Sequence, residues 1–366
     1  MILTYKYRIK DSSARKTLRR YAYAVNQVWN YCNGLQRDIE SRYRSGAPKR
    51  KWPSYYDFVN LTKGASRDIG LNSQTIQCIC RQFSDSRDKK RRSLKFRTSA
   101  GSRRSLGWIP FQKQSRQVNG NSITYLGKCF RYFGSRRRKL PESAKGGAFV
   151  EDARGRWYVC FHVEVSDDLA TGRGQVGIDL GLKTLATLTD GTVVPALQHY
   201  RRYEAALGIA QRANNKNRIR VIHAKIKNLR RDHLHKATAK ISRENSLIVV
   251  GNVNSTQMAK TRMAKSVLDA AWSMFKTQLE YKARRHRAEF IIVDESFTSQ
   301  TCSCCGTIPD SSPKGRGALG IRHWKCDGCG TDHDRDVNAA VNILNVALSA
   351  KRRGDESQNG VSNTAG

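Results

Sequence analysis

Leu3, Tyr5, Tyr7 and Ile9 alternate with Thr4, Lys6 and Arg8, a period of two that predicts a half-buried strand at the start of the chain. The period then changes. Leu18, Tyr21, Ala22, Val25, Val28, Trp29 and Cys32 recur at three-and-four spacing with Arg15, Lys16, Arg19 and Arg20 opposite, which predicts an amphipathic helix capped by Ser12 or Ser13. Further helical segments follow the turn at Ser45 to Pro53 and run to about Arg92. Between Ser105 and Val165 the runs SLGWIPF, SITYLG, CFRYFG, GAFVED and RWYVCFHVEV are separated by Gly, Asn and Asp signals, the mark of short strands. With the first strand joining them they compose a small β-barrel, an architecture common among nucleic-acid binders. Asp167 to Gly174 reads as a linker.

Beyond the linker, Val176, Ile178 and Leu180 mark one strand and Leu185 to Thr189 a second, and the Asp190-Gly191 turn leads to a third. Residues 200 to 245 read as two basic helices, with Ile219, Ile222, Ile226 and Leu229 as the buried stripe of the first. SLIVVGNVN predicts a buried strand. Lys265 to Arg285 predicts an amphipathic helix carrying Val267, Leu268, Ala271, Met274, Phe275 and Gln278 on or near one face, and AEFIIVDES another strand. Val337, Ala340, Val341 and Leu344 place a final helix. Three strands joined by hairpins, then helix, strand, helix, strand and helix, is the layout of an α/β RNase H-like fold. The tail from Lys351 to Gly366 has no periodicity and is expected to be disordered.

Charge adds a partner to this picture. Lys plus Arg is 67 against Asp plus Glu 30, a net charge of +37 over 366 residues, the footprint of a polyanion such as nucleic acid. Lys89, Lys90, Arg91 and Arg92 form one basic run, beside Lys95, Arg97, Arg103 and Arg104 with Phe96 and Trp108 interleaved; Arg136, Arg137, Arg138 and Lys139 form another. Both are candidate contacts to a phosphate backbone, with stacking at the first. No run of 18 apolar residues exists and the N-terminus alternates, so a soluble cytoplasmic protein with no membrane partner is expected.

Two groups of residues carry candidate chemistry. Cys302 and Cys305 form one C-x-x-C and Cys326 and Cys329, after 20 intervening residues, form another; each pair is followed by a glycine, Gly306 or Gly330. That spacing fits two knuckles closing one tetrahedral thiolate site for zinc better than two disulfide pairs. Cys304 falls outside the knuckle spacing. Asp332, Asp334 and Asp336 then alternate with His333 and Arg335 where the last helix begins; capping explains one aspartate, not three. Asp179 lies inside an apolar strand, where an acid is costly without a partner such as a metal ion.

GIDLGLKTLATLTDG resembles the first motif of a RuvC-like nuclease, and TSQTCSCCG with WKCDGCGTDHDRDVNAAVNIL resembles the third motif with an inserted zinc ribbon, as in the transposon-encoded TnpB proteins and the related miniature type V CRISPR effectors. The resemblance implies a prokaryotic, nucleoid-associated DNA endonuclease, directed by a guide RNA and a short flanking motif to double-stranded target DNA. It implies one RuvC site using magnesium, two ions in the usual scheme. It also implies a division of the chain: 1–10 as first strand of a wedge barrel, 11–94 a helical recognition domain, 95–170 the rest of the barrel, 171–297 the nuclease domain, 298–331 the zinc ribbon, 332–350 its final helix and 351–366 the tail. By resemblance Asp179 and Asp336 are the first and third catalytic acids. The second motif departs from the family, because Gly251 and Asn252 stand where a glutamate is usual. Glu295, at the end of the neighbouring strand, is the substitute expected, ahead of Asp294 and Glu244. An RNA-guided binding protein with little cleavage, acting as a roadblock, and a guide-independent accessory of transposition are the alternatives.

Overall fold

In the computed structural model the described residues are 1–10, 13–46, 48, 51–90, 94–101, 103–134, 144–167, 169–253, 270–315 and 317–359, with side chains described only as far as Arg352 and not at Leu319. Ser12, Arg91, Arg92, Arg136 to Lys139, Val267 and Leu268 therefore lie outside them. The chain divides into two compact units, Met1–Val165 and Ser166–Gly366.

In the first unit, β1 (Ile2–Arg8) is followed by helices α1 (Ala14–Arg44), α2 (Tyr55–Leu61), α3 (Ser66–Ile69) and α4 (Ser73–Lys90). The predicted stripe of α1 from Leu18 to Cys32 is buried. Its start differs from expectation: Ser13 stands at the N-cap in helical conformation and makes no side-chain cap. The strands β2 (Trp108–Gln112), β3 (Arg116–Asn119), β4 (Ser122–Tyr125), β5 (Lys128–Arg131), β6 (Ala144–Glu151) and β7 (Trp157–Glu164) pair as two sheets, β1-β7-β6-β2 and β3-β4-β5. A single bridge, Ile9 to Tyr132, links them, so among the described residues the pairing is two joined sheets instead of one closed barrel. Pro110 in β2 has no N–H to offer a further neighbour, which suits that strand to a sheet edge. Phe111, Tyr125, Phe130, Phe149 and Phe161 fill the space between, with ring centroids 5.3–6.3 Å apart where they touch.

The second unit is built on one mixed sheet. Strands β8 (Gly174–Leu180), β9 (Thr184–Leu188) and β10 (Val193–Pro195) form an antiparallel meander; β11 (Asn245–Gly251) and β12 (Glu289–Val293) add in parallel, giving the order β10-β9-β8-β11-β12. Helices α5 (His199–Arg212) and α6 (Lys216–Glu244) connect β10 to β11, and α7 (Trp272–Arg285) precedes β12. The Ile222 and Ile226 stripe lies on α6, the second helix and not the first, and packs there against Leu207 and Ala210 of α5. The last elements are β13 (His323–Lys325), β14 (Asp332–Asp334) and α8 (Arg335–Asn359). Helix α8 thus runs past residue 350 into the segment expected to be disordered, whose residues 360–366 lie outside the described ones.

Side chains alternate across a strand, and this sorts the sheet into two faces. Val176, Ile178, Leu180, Ile248 and Val250 share a core with Leu234 and Ile241 of α6 and Phe275 and Leu279 of α7. Leu247, Val249, Ile291 and Val293 pack instead with Ile343 and Ala347 of α8. Gly177 makes the second packing close. A methyl group at Gly177 would sit 2.0 Å from the carbonyl oxygen of Ala340, so only glycine lets α8 cross β8 there.

Candidate active site and metal centre

The same alternation positions the acids. Asp179 is two residues beyond Gly177 on β8, Gly251 two beyond Val249 on β11, and Glu295 two beyond Val293 at the exit of β12. All three therefore belong to the face that α8 covers, and Asp336 lies in the first turn of α8. Because β8, β11 and β12 are parallel, their C-terminal ends open on one side of the sheet.

The acids sense one another. Burial pushes Asp179 up to about 7, with the charges of Asp336 and Glu295 adding to the rise and Arg335 and Arg322 opposing it. Glu295 is also raised, by burial first and by Asp294, against the pull of Lys276. Its Oε2 is buried without a hydrogen-bond partner among the described residues. A Cβ at position 251 would lie 2.6 Å from that same atom, so Gly251 leaves open the space that Glu295 fills. Two carboxylates raised chiefly by burial, one of them with an orphaned oxygen, form a donor set that fits a divalent cation. The backbone holds Glu295 in place: its carbonyl accepts from the N–H and Oγ1 of Thr298, and Phe297 turns the chain at φ 64°. Asp294 is exposed and bonded to Ser296, and Glu244 to Arg243, so neither joins the group.

The aspartate trio of the third motif separates into distinct duties. Asp332 and Asp334 lie on β14, paired with β13, and Asp334 Oδ1 caps α8 by accepting from the N–H groups of Asp336 and Val337 at 3.0 and 2.9 Å. Asp336 itself is gripped by Arg322, whose Nη1 lies 2.6 and 2.8 Å from its two carboxylate oxygens. Arg322 carried no signal that composition or periodicity could single out.

The four cysteines converge as expected. The Sγ atoms of Cys302, Cys305, Cys326 and Cys329 all lie within 4.8 Å of one another. The close pairs run across the knuckles, Cys302 to Cys329 at 3.6 Å and Cys305 to Cys326 at 3.8 Å. A tetrahedron with zinc–sulfur arms of about 2.3 Å has edges of about 3.8 Å, whereas a disulfide needs about 2.05 Å. The donor set fits a zinc ion. The two knuckles repeat one another: Gly306 and Gly330, at φ 77° and 74°, donate back to the carbonyls of Cys302 and Cys326. Thr307 and Thr331 hydroxyls beside Cys305 and Cys329 lower both thiols, the latter to about 6, while burial raises Cys302 and Cys326. His333 Nε2 lies 3.0 Å from Cys302 Sγ with its ring on Trp324. Cys304 is exposed and outside the group. Asn338 and Asn342, one turn apart on α8, both donate to the carbonyls of Thr298 and Thr301, tying the helix to the first knuckle. An i,i+4 asparagine pair inside an apolar helix was the sequence signal for this tie.

The basic residues fare unevenly. Lys89 and Lys90 end α4 exposed, as are Lys95 and Arg103. Arg97 and Arg104 are not free for phosphate: Arg97 bonds Asn26 and the Leu106 carbonyl, and Arg104 pairs with both oxygens of buried Glu151 at 2.7 Å. Phe96 lies under Arg37, and Trp108 is half-buried in β2.

Comparison with known proteins bears on this architecture. The family model OrfB_IS605, described as a probable transposase, matches residues 158–262, and the Cas12f1-like TNB domain matches 272–343. A Streptomyces pristinaespiralis protein provisionally named an RNA-guided DNA endonuclease is 36% identical over 235 residues, 60% of this chain and 57% of that one. InsQ of Escherichia coli strain K12, provisionally named in the same way, is 30% identical over 287 residues, 70% of this chain and 64% of its own. In both matched segments the chain is similar to the TnpB family. It spans less than two thirds of the length of those two relatives. The Cas12f1 chain of a cryo-EM complex with sgRNA and target DNA has the same mixed α/β fold, with a TM-score of 0.59 at 14% identity over 91% of this chain and 83% of that one. The two TnpB-family segments enclose Asp179 on one side, and Glu295, the four cysteines and Asp336 on the other.

Proposed function

We propose that the protein is an RNA-guided DNA endonuclease with one metal-dependent site formed by Asp179, Glu295 and Asp336. The second unit is then an RNase H-like, RuvC-type nuclease domain with its zinc ribbon at 298–331, and the first unit a wedge with a helical recognition insert. The observation that carries the reading is that Asp179 on β8 feels the charges of both Glu295, at the exit of β12, and Asp336, at the start of α8, with Glu295 filling the space that Gly251 leaves. Magnesium held by these residues would supply water activation and neutralise charge on the phosphodiester. The chain's own part is to fix three carboxylates on rigid strand ends and a helix start. Lys276, close enough to lower Glu295, offers a cation beside the same site. The excess of +37 suits the protein to guide RNA and target DNA, with the exposed Lys89, Lys90, Lys95 and Arg103 among the contacts. Arg91, Arg92 and Arg136 to Lys139 are proposed to join them.

The test is to co-express the chain with its flanking noncoding region, purify it, and assay for co-purified RNA and for magnesium-dependent cutting of a matching DNA. RNA-directed cutting lost in Asp179→Asn supports the nuclease. RNA-directed binding without cutting in magnesium or manganese would replace it with the roadblock reading.

A further inference from the structure

Asp336 is the only acid of the three that already has a direct ionic partner among the described residues: Arg322 Nη1 donates to both of its carboxylate oxygens, at 2.6 and 2.8 Å. Arg322 is well anchored on its backbone side. It immediately precedes β13, and its carbonyl accepts from the Arg335 N–H at 2.7 Å, so the strand that bears it and the start of α8 are one piece. The Arg322 side chain is 33% exposed and the Asp336 side chain 22%, so water reaches the pair and the arginine can turn away without unfolding anything.

We infer that Arg322 is a positioning residue for the acid site: it holds Asp336 by the two oxygens a divalent cation needs, and cation entry requires it to let go. The inference rests on the metal-dependent reading above. An arginine and a magnesium ion compete for the same lone pairs, so the pair keeps Asp336 oriented and lowers the affinity of the empty site for the ion. Once displaced, the guanidinium remains beside the acids with its charge unspent, available to an anionic phosphodiester. Metal and DNA would then favour each other's binding through this residue.

The experiment is a titration of the full-length, zinc-loaded, nucleic-acid-free protein with Mn2+, following the free-ion signal by electron paramagnetic resonance. Arg322→Gln is expected to bind Mn2+ about fivefold more tightly than wild type, the scale of one partly exposed ion pair. A merely structural arginine would weaken binding when removed, so the direction of the change is diagnostic. Against an Asp336→Asn background the same substitution should change nothing further. Zinc content and the melting temperature check the fold, and if the Gln variant loses zinc, Arg322→Met, which keeps the apolar stem, carries the test with the same sign. Equal or weaker Mn2+ binding in a zinc-replete variant overturns the inference alone. Mn2+ binding indifferent to Asp179→Asn in wild type and variant alike overturns it together with the metal-dependent reading.

Discussion

At the scale of the residue, Glu295 and Gly251 act as a pair, because the glycine vacates what the glutamate occupies. Glu295→Gln removes charge with little change of shape and should lower magnesium-dependent cleavage at least about 100-fold with guided binding kept, measured by initial rates and gel shift. Gly251→Ala sets a methyl group against Oε2 and should slow cleavage with no acid removed. Gly251→Glu would clash with the side chain at 295, so restoring the acid on β11 calls for Glu295→Ala as its partner change. A Glu295→Gln protein that cuts at the wild-type rate, while the aspartate variants are dead, would show the glutamate idle. Asp179 makes a pH prediction. Its folded value of about 7 lies above the ordinary carboxylate value of 3.8, so the folded state holds the proton more tightly. The associated stability is complete below about pH 4 and lost as pH rises through 7. Melting of magnesium-free, zinc-loaded protein should therefore fall across that window, and Asp179→Asn should flatten the fall.

Among the elements, the ones with a strong period are legible in the sequence: α1 from its stripe, β8 to β10 from alternation and the Asp-Gly turn, α8 from Val337, Ala340, Val341 and Leu344. The cysteine spacing gave the cluster because knuckle geometry is local. Contacts that depend on how elements cross were not readable. Gly177 matters only because α8 lies on it, and Arg322 only because β13 brings it to Asp336. Nor could spacing tell that Asp334 caps the helix while Asp336 is gripped by an arginine. Among the described residues the strands expected to form a barrel pair as two joined sheets, an outcome set by which strand edges meet and not by any local spacing. The cysteine cluster makes its own prediction at this scale. Purified protein should carry about one zinc per chain, and Cys326→Ser should lose it and speed hydrogen exchange at the start of α8, which Asn338 and Asn342 bind to the first knuckle. A well-folded wild type without zinc would contradict this.

For the whole molecule the question is where so much positive charge meets a polyanion. Lys216, Arg220 and Lys227, at helical spacing on α6, are exposed, and changing all three to Gln should reduce the slope of log affinity against log salt by about 3. An unchanged slope would mean that this face never meets phosphate. The site itself is spread along the chain: β8 supplies Asp179, the exit of β12 Glu295, and α8 Asp336. Ribosomal synthesis therefore delivers the three acids one after another, and the carboxylate set is complete only when α8 has settled against Gly177. If the proposed function holds, a nascent or partly folded copy of this strongly basic chain would meet nucleic acid before its carboxylate set is assembled. On the proposed reading, hydrolytic competence would require the whole chain up to α8, and no shorter stretch of it would suffice.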